Sequence, residues 1–101
     1  MNTAVQVSIY LTESDPWDKV LHLLHDEKVA GASAFHAVAG FTGRNSVHRA
    51  HLVEAGGALP VLIIFVDLEE HVERVLPKLF ALVPKRLIVR ENVRIEQGSF
   101  D

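Results

Sequence analysis

The chain has 101 residues, 49% of them hydrophobic, and a net charge of −3 with its six histidines counted neutral. That length suits one domain over 1–101, and the slight acidic balance lacks the basic excess that broad nucleic-acid binding requires. With no cysteine there are no disulfides, thiolate metal sites or cysteine nucleophiles.

Val5, Val7, Ile9 and Leu11 alternate with Gln6, Ser8 and Tyr10, a period of two that predicts a strand. Asp15 followed by Pro16 predicts the capped start of a helix. Trp17, Val20, Leu21 and Leu24 then fall on one helical face, and Gly31 is the expected stop. A second strand of small residues is expected over 33–39. Gly40 and Gly43 open a polar passage of about 18 residues over 41–58, a length that in a compact domain points to function or disorder. The apolar run 61–66 predicts a third strand with two apolar faces and is far too short to span a bilayer, so membrane insertion is not expected. Residues 67–83 carry Leu68, Val72, Val75, Leu76, Leu79 and Leu82 as one helical stripe, with Pro77 expected to kink it or open a new turn. A last strand is expected over 87–95, with Leu87, Val89, Val93 and Ile95 on one face. No basic-then-apolar leader opens the sequence, so a cytoplasmic protein is expected.

The order βαββαβ is that of an α+β, ferredoxin-like domain: a four-stranded antiparallel sheet with both helices on one face. The helices leave the second face bare. The third strand is apolar there and the first carries Tyr10, so self-association is the simplest way to cover it.

Several segments, in this order and spacing, resemble an uncharacterised bacterial and archaeal family of PII-like proteins. They are Val38-Ala39-Gly40-Phe41, Ser46-Val47-His48-Arg49-Ala50, Leu59-Pro60-Val61, Val66-Asp67, Leu76-Pro77-Lys78-Leu79 and Leu87-Ile88-Val89-Arg90-Glu91-Asn92-Val93. The resemblance covers about residues 5–96. It implies a homotrimer with the sheets facing inward, a mobile loop after the second strand, and ligand clefts between subunits. In the wider PII superfamily those clefts take adenine nucleotides, and the loop touches a target protein. It also implies that Pro77 is accommodated, because a Leu-Pro in the second helix is a family habit. PII proteins proper carry a glycine- and lysine-rich phosphate loop before the last strand. Here that connection is Val83-Pro84-Lys85-Arg86, without a glycine. A nucleotide or other small anionic effector would therefore need the side-chain charges of Lys85, Arg86 and Arg90.

Within the loop, Gly40, Gly43, Arg44, His48 and Arg49 form the candidate site, with guanidinium groups suited to phosphate or carboxylate. The plain alternative is a solvated loop. His48 and His51, with His36, are a weaker candidate metal set, since no carboxylate falls at an obvious third-ligand spacing. His22 and His25 read as a solvated helix face, His71 as exposed surface, and Trp17 as core. Arg90, Glu91 and Arg94 form either a ligand-cleft wall or an intersubunit or edge-strand ion pair that guards against aggregation. No nucleophile–base, Walker or dinucleotide pattern is present, so no catalytic role is expected. The expected function is thus a non-enzymatic PII-like regulatory module that contacts a target protein through loop 41–58. The alternatives are a CutA-like trimeric metal binder and a structural interaction subunit.

Overall fold

A computed structural model describes residues 3–42 and 58–100. The elements run β1 (Thr3–Thr12), α1 (Trp17–Asp26), β2 (Ala32–His36), β3 (Pro60–Asp67), α2 (Glu69–Leu82) and β4 (Leu87–Arg94). The strands lie in the order β2-β3-β1-β4 with every neighbouring pair antiparallel. This is the ferredoxin-like α+β fold that the alternation of patterns predicts. β2 is shorter than expected. Among the described residues its only strand partner is β3, which begins at Pro60, and the last hydrogen bond between them runs from Ala37 N–H to the Pro60 carbonyl at 2.9 Å.

The odd residues of β1 and β3 face the helices. Val5, Val7, Ile9 and Leu11 with Val61, Ile63 and Phe65 pack against Val20 and Leu24 of α1 and Val72, Val75, Leu76 and Leu79 of α2. Each fully buried side chain of this kind stabilises the fold by about 1.5–3 kcal/mol. The even residues face away. On that side the register places Phe35, Leu62, Tyr10 and Leu87 in one row across all four strands, with Ile64 and Val89 in the next row. Phe35, Tyr10, Leu87 and Val89 are 41–61% exposed, so no described residue of the subunit covers them.

The ends of α1 differ from expectation. Asp15 does not cap the helix: the residue before Trp17 is Pro16, and no side chain caps the N-terminus. Asp15 is engaged elsewhere, with Thr12 and Arg86. At the other end the helix stops before Gly31. Lys28 takes a left-handed backbone, φ 65°. Its N–H donates to the His25 carbonyl at 3.0 Å, and Val29 N–H donates to the Leu24 carbonyl at 3.2 Å. That pair of bonds is a Schellman closure with lysine where glycine is usual.

This closure is tied to α2 through His71, which is not the exposed surface residue the acidic sequence around it suggests. Its Nε2 donates to the Glu27 carbonyl at 2.6 Å, and its Nδ1 lies 3.0 Å from Asp67 Oδ2. Asp67 is 5% exposed and also accepts from Ala30 N–H at 3.1 Å and Leu68 N–H at 2.7 Å. One carboxylate thus joins the end of β3, the start of α2 and the chain leaving α1. α2 continues unbroken through Pro77. The proline is exposed, where water can take the Glu73 carbonyl left without an N–H four residues on.

Two expected outcomes follow for stability. Asp67→Ala strands two backbone donors and one imidazole, and should lower unfolding free energy by about 2–3 kcal/mol. The thermal midpoint should fall by roughly 10–20 °C; a change within error would contradict the junction at Asp67. Lys28→Gly removes the left-handed cost of a side chain and should stabilise by about 0.5–1 kcal/mol in urea unfolding. A loss of stability would contradict the assigned closure.

Candidate functional site

The exposed row on the open sheet face ends at a cleft. Tyr10 and Leu87 are register partners at the end of the β1–β4 ladder. Beyond them the exit from β2 supplies Phe41 and Thr42, and the turn before β4 supplies Lys85 and Arg86. These six residues line a cavity of about 340 Å³, within the range of small-molecule sites. It combines two aromatic rings, one aliphatic side chain and two cations.

Arg86 is held in place. Its Nε donates to Asp15 Oδ2 at 2.8 Å. That oxygen also accepts from Thr12 N–H at 2.8 Å and Thr12 Oγ1 at 3.1 Å, and Thr12 is 7% exposed. The side-on contact uses Nε, and among the described residues no hydrogen bond or ion pair engages the other guanidinium nitrogens, which can serve a ligand. Lys85 has no hydrogen bond or ion pair among the described residues. A braced guanidinium beside an unengaged ammonium can bind an anion without first losing much rotamer freedom.

The segments that deliver Phe41 and Thr42 are themselves anchored. Glu13, in the β1–α1 turn, donates its N–H to the Leu59 carbonyl at 2.9 Å and accepts from Leu59 N–H through Oε1 at 3.3 Å. Its Oε2 lies 3.4 Å from His36 Nε2. The Trp17 ring meets His36 edge to face with centroids 5.3 Å apart. Trp17 thus packs on the core rim, as its place in the stripe predicts. Gly40 has φ 149°, and a Cβ built there would come within 3.2 Å of Pro60 Cγ, so this position favours glycine on two grounds.

Of the residues singled out in the sequence, Lys85 and Arg86 meet in the cleft, and Gly40 stands just before the two loop residues that line it. Arg90 is not brought there. It lies on the helix side of β4, where Nη1 donates to Glu73 at 2.6 Å and Nη2 to Glu69 at 3.1 Å. The Glu73 hydrogen bond raises the Arg90 guanidinium above its ordinary value. Both carboxylates that Arg90 meets lie on α2 of the same chain, so its ion pairs tie β4 to α2 and are neither the cleft wall nor the intersubunit or edge-guarding pair expected. Gly43, Arg44, His48, Arg49 and His51 lie outside the described residues. Among the described residues, no group of three or more His, Cys, Asp or Glu is placed to hold a metal ion, and no helix is long and apolar enough to cross a membrane. The sequence reading missed Tyr10, Phe41 and Asp15 as parts of the site. The two rings were visible as apolar residues next to the loop and on the bare face. Asp15 was hidden by its resemblance to a helix cap.

A family model described as "Uncharacterized ACR, COG1993" matches residues 4–95. The UPF0166 protein MJ1524 of Methanocaldococcus jannaschii is 29% identical over 100 residues, covering 92% of each chain. Among solved structures, CPII of Thiomonas intermedia K12, bound to ADP, AMP and acetate, superposes with a TM-score of 0.68 at 16% identity. The match covers 94% of this chain and 90% of that one. CutA1 of Pyrococcus horikoshii superposes with a TM-score of 0.64 at 14% identity, covering 94% and 86%. At these identities the structural likeness establishes the fold.

Proposed function

We propose, from the premise that this chain belongs to the DUF190 family, that it is a non-enzymatic, PII-like regulatory module. It assembles as a homotrimer through its open sheet face and binds a small anionic effector in clefts bordered by neighbouring subunits. Residues 41–58, including Arg44, His48 and Arg49, contact the effector or a target protein. One observation carries this reading: the exposed apolar row runs directly into a cleft holding a braced Arg86 and an unengaged Lys85. A copy packed on the row would wall that cleft with its own surface, which makes the ligand site and the assembly one construction. The fold shared with CPII, which was solved with ADP and AMP, makes an adenine nucleotide a reasonable candidate. The CutA-like alternative would rest on His36, His48 and His51; His36 is engaged with Glu13 and Trp17.

The test is a thermal-shift titration at fixed protomer concentration against ATP, ADP, AMP, bicarbonate and zinc. An effector at 100 times its Kd stabilises by about 2.7 kcal/mol, a rise of roughly 10 °C in a domain this size. Lys85→Ala should abolish the rise, and Arg90→Ala should leave it intact. If no anion moves the midpoint, or if Lys85→Ala changes nothing, the reading is wrong. A rise with zinc alone would favour the metal-binding alternative.

A further inference from the structure

We infer that the Lys85–Arg86 cleft selects a planar aromatic molecule carrying one anionic head group, a monophosphate or a carboxylate, over a di- or triphosphate. This rests on the anion-binding reading above and narrows it.

The first argument is charge. Lys85 and Arg86 bring two positive charges, but Asp15 sits 2.8 Å from Arg86 and cancels one of them. Asp15 cannot swing aside cheaply, because Oδ2 is also held by both the N–H and the hydroxyl of Thr12. Among the described residues the cleft therefore offers a single net positive charge. Each further phosphate would add negative charge with no second cation among the described lining residues to meet it, close to a fixed carboxylate.

The second argument is the backbone. Polyphosphates are usually cradled by several successive N–H groups. In the turn before β4, Pro84 has no N–H. Arg86 N–H is already given to the Val83 carbonyl at 3.1 Å. Only Lys85 N–H is left, and no glycine between Val83 and Arg86 relaxes the approach. The turn can hold one anionic group and has no second row of donors.

The third argument is the wall. The rest of the cleft is made by Tyr10, Phe41 and Leu87, with the Thr42 side chain as a polar contact. Two rings and an aliphatic residue suit a flat aromatic body, which gains by stacking and by leaving water.

The experiment is isothermal titration of the full chain with AMP, ADP and ATP, each without magnesium, and with nicotinate as a flat carboxylate. The inference expects AMP or nicotinate to bind, and ADP and ATP to bind no tighter than AMP. Asp15→Asn keeps an oxygen for Thr12 but removes the neutralising charge. It should raise the affinity for ADP and ATP relative to AMP by about tenfold, the scale of one charged hydrogen bond. Binding of AMP with no binding of nicotinate assigns the head group to phosphate, and the reverse assigns it to carboxylate; either supports the inference. Wild-type affinity that climbs tenfold or more from AMP to ATP overturns this inference and leaves the anion-binding reading standing. No binding of any of the four at millimolar concentration overturns both. If Asp15→Asn is too unstable to titrate, Lys85→Gln on an exposed residue replaces it. AMP affinity should then fall at least tenfold, and an unchanged value overturns the proposal.

Discussion

Strand β3 is apolar on both faces, and two helices can cover only one of them. Val61, Ile63 and Phe65 are buried under α1 and α2, while Leu62, Ile64 and Val66 point the other way. Because β3 is an inner strand, its outward residues meet β1 and β2 neighbours, and the register extends the apolar row to Phe35 on one edge and Leu87 on the other. A surface of that kind is costly to leave in water. The need to cover it is the constraint from which the proposed assembly and the position of the cleft both follow.

The two faces do different work. The covered face holds the subunit together, and its polar connections are concentrated where the chain turns. Asp67 and His71 fasten the exit of α1 to the start of α2. Glu13 fastens the exit of β2 and the start of β3 to the first turn. Asp15 fastens the turn before β4. Each uses a carboxylate on one segment to receive donors from another, which fixes loop ends that hydrophobic packing alone would leave loose. The open face carries the proposed site, because the turns braced by Glu13 and Asp15 bring Phe41, Thr42, Lys85 and Arg86 together at the end of its apolar row. The acid that orients Arg86 also offsets its charge, so in the proposed site preorganisation and selectivity would have the same origin.

Most of the architecture was legible in the sequence, because period-two and period-3.6 patterns dominate wherever a side chain meets the core. β1, β3 and α2 carry those patterns strongly, and the fold order followed from them. The bare second face was legible too, from the absence of any polar residue in Val61-Leu62-Ile63-Ile64-Phe65-Val66. What was hidden depends on partners far along the chain. His71 looks like an exposed helix residue among Glu69, Glu70 and Glu73, yet the carbonyl that receives its proton is 44 residues away. Lys28 gave no sign of a left-handed cap, since lysine disfavours that conformation and the local geometry overrides the preference. Asp15 has the residue type and position of a cap but turns to Thr12 and Arg86. Lys85 and Arg86 were found by their charge; that Arg90 would face α2 instead required the parity of β4, which alternation implies and which placing all three cations in one site did not respect.

The account turns on whether the open face is covered by further copies of the chain. The most direct measurement is sedimentation equilibrium of the unmodified protein at micromolar protomer concentration in physiological salt. The account predicts a single species with about three times the 11.2 kDa mass of the chain, holding its mass on dilution as an apolar interface should. A monomer across the concentration range would contradict it, because the row from Phe35 to Leu87 would then be left in water and the cleft at its end would have no second wall.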